Sequence, residues 1–328
     1  MTKPKRDPRV LALRNFAISI TVFNLAGYLF LGFEQPWLWP FFALAAGYGL
    51  ELMLETVAAR MEGRAPRFRH RGVRGLAEYL YPAHITSLAV NMLLYVNDQL
   101  LVMLFGVMVA ISGKWLLQTP VRGRLRHFMN PSNLGITVVL LLFPWSSIAP
   151  PYHFTEHLFG IWDWLLPLLI IAAGTMMNAM LTKRMWLIGA WVAAFVLQAV
   201  VRGVLFDAAI PSALGVMTSV AFVLFTNYMI PDPGTTPQRP LSQIAFGGGT
   251  AVLYGLFTGL HVAYGLFFAL ATVCVIRGAF LWSLEISHRA RQKEAEPRPP
   301  AGQLPTPVSP AGAPVSGDGT VRKEAIRT

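Results

Sequence analysis

The stretch Thr182-Lys183-Arg184-Met185-Trp186-Leu187-Ile188-Gly189-Ala190-Trp191-Val192-Ala193-Ala194-Phe195-Val196-Leu197-Gln198-Ala199-Val200-Val201-Arg202 decides what kind of molecule this is. Two basic residues open it, one closes it, and between them Gln198 is the strongly polar interruption. An apolar run of about 20 residues, wound as a helix, spans a hydrocarbon core roughly 30 Å thick. A barrel strand would alternate polar and apolar side chains; this run is continuous, so the reading is a transmembrane helix.

Working outward, runs of the same kind occupy about residues 15–33, 37–57, 77–96, 99–118, 133–149, 159–181, 185–204, 210–230, 243–260 and 262–284. Turns such as Glu34-Gln35-Pro36 and Asn97-Asp98-Gln99 join some of them into antiparallel pairs. The chain is 54% hydrophobic and 13% charged, against about a quarter charged in soluble domains. The expected fold is therefore an all-α integral membrane protein with about ten transmembrane helices. Its organisation reads as a basic N-terminus (1–14), a polytopic helical domain (15–284) and a tail rich in Pro and Ala (285–328). The tail has too few large apolar residues to bury and is expected to be disordered. The segment from Met1 to Arg14 leads into a long span with no small-residue cleavage pattern, so it reads as a first anchor.

A formal charge of +11 would suit a nucleic-acid partner, but the basic residues are punctuation between apolar runs. With the N-terminus inside, the ten-span reading puts 26 of the 27 Lys and Arg residues on one side, and only Arg202 on the other. Short cytoplasmic loops retain Lys and Arg during insertion. Both termini are thus expected in the cytoplasm, with the lipid bilayer of the plasma (inner) membrane as the partner and no role for nucleic acid.

Cys274, the single cysteine, lies in an apolar run, so this chain alone supplies no disulfide framework and no Cys-ligated metal or cluster. His153 and His157 are four apart but have only Glu156 nearby, and no metal site is assigned. Gly247-Gly248-Gly249 sits inside an apolar run and suits close helix packing better than a nucleotide loop. Polar residues inside spans, including His84, Glu51, Asn178 and Gln198, mark either paths for substrate or ordinary interhelical hydrogen bonds. Glu55, Lys114 and Arg277, near cytoplasmic ends, are expected to snorkel to the interface.

Two cytoplasmic loops carry the chemistry. In Arg126-His127-Phe128-Met129-Asn130-Pro131-Ser132-Asn133-Leu134-Gly135, Pro131 and Ser132 suit a helix start, whose unpaired N–H groups favour an electron-rich ligand. Asn130 and Asn133 each offer a donor and an acceptor to the edge of a heterocycle. The same pattern also describes a capped helix beside a basic loop on phospholipid headgroups. In Tyr228-Met229-Ile230-Pro231-Asp232-Pro233-Gly234-Thr235-Thr236-Pro237, Asp232 is either a fixed acceptor beside a polar pocket or the cap of its own rigid turn.

Together these loops resemble the NqrB/RnfD family of membrane electron-transport subunits. The first resembles that family's “KH…FNP” region and the second its “F-M-x-T-D-P” signature. The run Asn130-Pro131-Ser132-Asn133 and the later Asp232-Pro233-Gly234-Thr235-Thr236-Pro237 look most like an UnbU-like branch associated with enediyne biosynthesis. The likeness extends over roughly residues 80–284 in topology. It implies a flavin or quinone site at the cytoplasmic face, with Asn130, Asn133 and Asp232 on the motif positions. Thr235, Thr236, Arg126 and His127 join them by proximity. The family's covalent flavin attachment through a threonine in S-G-A-T has no counterpart here; the nearest hydroxyls are Thr175 and Thr218. The implied cofactor is therefore noncovalent FMN or riboflavin, or a quinone. Redox-complex subunits or a soluble electron donor are the implied partners, and no residue is singled out as catalytic. A multi-pass transporter of a small molecule or ion is the alternative, and a scaffold anchoring soluble partners is a third reading.

Overall fold

The computed structural model describes residues 8–69, 72–121, 123–150 and 155–295. Residues 1–7 and the tail from 296, for which a basic segment and disorder are expected, lie outside the described residues, as does His153. The protein is mostly helical. In order come α1 (Pro8–Ala26), α2 (Trp39–Met61), α3 (Gly72–Leu93), α4 (Leu100–Leu116), α5 (Pro131–Leu142), α6 (Trp162–Met177) and α7 (Met185–Phe206). Then follow the short α8 (Ile210–Gly215) and α9 (Val220–Leu224), α10 (Pro240–Gly259) and α11 (Gly265–Ala295). Three π-helical turns extend helices: Gly27–Leu31 after α1, Asn178–Thr182 after α6 and Phe225–Met229 after α9. The site lies in the first of two compact units, Met1–Glu285; the second, Ile286–Thr328, is helical up to Ala295 among its described residues.

Each apolar run found in the sequence contains helix. Among the described residues, five helices are long and apolar enough to cross a membrane, or six if the pair Ile210–Thr218 and Val220–Met229, bent by 66°, forms one span. Two runs end earlier as helix than expected. α5 stops at Leu142 because Pro144 disfavours helix at Phe143. Beyond it, β4 (Ser147–Ile148) pairs antiparallel with β1 (Leu94–Tyr95), which in turn ends α3.

Glycines let backbones meet. In α10, a Cβ on Gly247 would collide with the Leu187 carbonyl and crowd the Trp191 nitrogen of α7, so the glycine run serves close packing. Gly135 likewise brings α5 onto the Gly106 carbonyl of α4. Trp191, beside Gly247, is fully buried. Its ring stacks on Phe222 at a 5.8 Å centroid distance, and its indole N–H donates to Thr226 Oγ1 at 2.9 Å, which satisfies the one polar atom it buries.

Loops from alternate connections gather at opposite ends. At one end, Gln35 Nε2 donates to the Leu94 carbonyl (2.8 Å), Tyr95 Oη donates to Glu34 (3.0 Å) and Trp145 Nε1 donates to Gln99 (3.2 Å). At the other, Glu55 does not snorkel: it is completely buried, paired with Arg64 at 2.5 Å and accepting the Arg67 N–H at 2.8 Å. Lys114 also turns inward, to Glu51 at 2.9 Å. In both cases a partner lies within reach, so the charge is compensated without extending to an interface. This second end carries the two motif loops.

Candidate functional site

Asn130 is the N-cap of α5. Its backbone is extended (φ −66°, ψ 122°), and its Oδ1 accepts the Asn133 N–H at 3.0 Å and the Ser132 hydroxyl at 3.1 Å. Pro131 fits the first helical position, where no N–H is needed. The other half of the amide works at long range: Nδ2 donates to the Met229 carbonyl at 2.9 Å, tying this loop to the one that carries Asp232. Asn133 is fully buried one turn in, and its Nδ2 donates to the Phe267 carbonyl of α11 at 3.0 Å.

The second loop is held from within and from a third loop. Asp232 Oδ1 accepts the Gly234 N–H (3.0 Å) and Oδ2 the Thr235 hydroxyl (3.0 Å). The Thr236 hydroxyl donates to the Asp232 carbonyl at 2.6 Å and accepts Arg184 Nε at 2.8 Å. Gln243 Nε2 reaches the Lys183 carbonyl at 3.2 Å. The turn-capping reading of Asp232 is thus correct, and the carboxylate also borders a cavity.

A β-hairpin supplies the basic wall. β2 (Gln118–Val121) pairs with β3 (Arg124–His127), setting Thr119 opposite Arg126 and Gln118 opposite His127. His127 packs over Gly234, where a Cβ would come within 2.7 Å of Nε2. Burial pulls the His127 imidazole below its ordinary range; the Asp232 carboxylate pushes the other way, and Lys114 and Arg126 add to the lowering. The ring is neutral near pH 7, so it can donate from one nitrogen and accept at the other.

These pieces enclose a cavity of about 580 Å³, within the range of small-molecule and cofactor sites. Its basic lining is Lys114, Arg126, Lys183 and Arg184, against a single carboxylate, Asp232. Lys114 is balanced from behind by Glu51. The apolar side comes from α1, α3 and Tyr228, whose ring meets Phe16 edge-on at 5.8 Å. Such an arrangement suits a planar or amphipathic molecule with an anionic end.

Of the residues expected from sequence, Asn130, Arg126, His127 and Asp232 line this cavity. Asn133, Thr235 and Thr236 stand behind it, with the hydrogen bonds given above fixing its frame. The expectation that both asparagine amides face a ring edge is corrected for Asn133, which stands behind the cavity; Asn130 lines it, and each amide gives one of its two N–H hydrogens to a backbone carbonyl. Lys183, Arg184 and Tyr228 were read only as topology markers or motif neighbours. The ten-span reading of the sequence puts them on the same side as the two loops, and that was the available signal. Thr175 and Thr218, the nearest hydroxyls to a flavin-attachment motif, bond to Asn227 Oδ1 (3.3 Å) and the Gly215 carbonyl (2.7 Å), away from the cavity lining. Among the described residues, no group of three His, Cys, Asp or Glu is placed to hold a metal ion. Compared with known proteins, the chain matches no family model, and none of the curated proteins searched matches it.

Proposed function

We propose that this protein is a ten-span membrane electron-transport subunit with cytoplasmic termini, holding a noncovalent flavin (FMN or riboflavin) or a quinone in the cation-lined cavity. The observation that carries the reading is the meeting of two separate loops, each similar to a motif of flavin-carrying subunits, around one cavity of cofactor size. The basic end supports a cytoplasmic orientation, since it gathers the Lys and Arg loops.

The residues present fit such an occupant. Arg126 and Lys183 would take an anionic end, Tyr228 and Phe16 offer apolar faces, and neutral His127 beside Asp232 offers a donor and acceptor at close range. When bound, a flavin or quinone supplies the redox chemistry; this chain supplies position, charge and exclusion of water. Asn130 lines the cavity while holding α5 against the Asp232 loop, and Asn133 acts one layer back, tying α5 to α11.

Protein purified in mild detergent should carry, or take up from solution, about one equivalent of flavin or quinone, seen as visible absorbance or by extraction and chromatography. Colourless protein that binds neither added flavin nor a soluble quinone would sink the reading. A transporter is the second reading, favoured by the 66° break between α8 and α9, since discontinuous helices line many transport sites. Counterflow in proteoliposomes without a redox partner would select it.

A further inference from the structure

A second cavity, of about 610 Å³, lies on the opposite face of the α1–α3 pair, where α2 closes it. Its walls are mostly apolar, including Ala17, Leu76 and Leu80, and its rim residues Ile18 and Val22 are about half exposed, so it opens sideways. The polar groups at its inner end are spent on one another. The single proton of the Thr21 hydroxyl goes to the Ala17 carbonyl (2.8 Å), so Thr21 Oγ1 must accept from His84 Nε2 (2.7 Å). His84 Nδ1 is then the acceptor for the Tyr48 hydroxyl (2.6 Å). With that assignment of protons the imidazole is the neutral Nε2–H tautomer, and each polar side-chain atom at the inner end already has a protein partner.

Arg14 is different. It lines the same cavity near the basic end, one to two turns of α1 before Thr21. Its buried Nε–H has no acceptor among the described residues, and its guanidinium makes only a long 3.4 Å contact to neighbouring Asn15. A guanidinium beside an apolar groove with no anion is a costly arrangement unless a ligand brings one. We propose that this groove binds an anionic phospholipid, its phosphate on Arg14 and one acyl chain lying along Ile18, Leu76 and Leu80 toward the closed Thr21–His84–Tyr48 end. From Arg14 to Thr21 the helix rises roughly 10 Å, a length that suits an acyl chain and not a compact solute.

The test is lipid binding to the full chain in detergent by native mass spectrometry, comparing phosphatidylglycerol, phosphatidylcholine and oleate. Wild type should prefer phosphatidylglycerol over phosphatidylcholine by roughly tenfold, because the choline cation of the zwitterionic lipid competes with Arg14 for the phosphate and weakens that charge-assisted contact. R14Q should lose that preference and R14K keep most of it. L80W, which fills the groove with Arg14 intact, should lower binding of both phospholipids. Equal affinity for the two phospholipids in wild type, retention of oleate alone, or an undiminished preference in monodisperse R14Q would each overturn the proposal. If R14Q does not fold, the wild-type preference and the weaker binding of both phospholipids by L80W decide: no preference, or undiminished binding by L80W, overturns the proposal. Neither Arg14 nor Leu80 lines the first cavity, so a failure here leaves the flavin or quinone reading untouched.

Discussion

The amide of Asn130 spans two loops that are 99 residues apart, accepting the N–H that starts α5 and donating to the Met229 carbonyl three residues before Asp232. One side chain therefore sets both a helix start and the mouth of a cavity. Asn130→Ala should cost about 1 kcal/mol for the lost cap and a similar amount for the cross-loop bond. Asn130→Asp keeps an acceptor for the Asn133 N–H but loses the donor to Met229. Thermal unfolding in detergent should rank wild type above the aspartate variant and that above alanine. An alanine variant as stable as wild type would show that the bridge carries no load.

Gly234 is the seat of the His127 ring. Gly234→Ala puts a methyl within 2.7 Å of Nε2, which forces the imidazole outward at a cost of about 1–3 kcal/mol, as for other overpacked sites. Combining it with His127→Ala should recover most of that loss, a non-additive cycle that a general turn defect would not give.

Glu51 and Lys114 are both nearly buried and pair at 2.9 Å. Removing only the carboxylate, as in Glu51→Gln, should destabilise by about 3–5 kcal/mol, because the ammonium is left uncompensated. The double change with Lys114→Met should be milder than Glu51→Gln alone, measured by denaturation midpoint. If the double variant is worse than either single one, the pair is not the unit that matters.

His127 gives the site a pH dependence of definite sign. Its folded pKa is lowered by burial, so on acidification the unfolded chain takes the proton first, near pH 6.5. Stability should fall as pH drops below that value and level off once the folded ring also protonates. His127→Gln should flatten this part of a melting-temperature profile between pH 7.5 and about 5, with slopes above pH 7.5 unchanged. Parallel profiles for the two proteins would contradict a neutral buried ring.

The helical segments were legible because apolar runs and basic breaks report the solvent each segment meets. Lys183-Arg184 before Met185 marks the start of α7 to the residue. What was not legible depended on partners distant in sequence. The end of α5 depends on Ser147-Ile148 finding Leu94-Tyr95. The Gln118–His127 hairpin was hidden by reading Arg124 and Arg126 as part of a basic loop, although Gly123 within a polar–apolar alternation was a turn signal. In the site, Asp232 and Asn130 were found by motif. The supporting roles of Asn133, Thr235 and Thr236 were not, since Phe267 and Arg184, which bond Asn133 and Thr236, belong to other elements.

The π-helical turn Phe225–Met229 sits just before Asp232. A π turn is an α-helix carrying one surplus residue. Deleting a single residue there would restore a regular helix and swing everything after it by about 100° around the axis, taking Asp232 away from His127. The cavity's acidic corner thus rests on an insertion of one amino acid, and a shortened chain lacking it should fold as a bundle yet lose ligand binding.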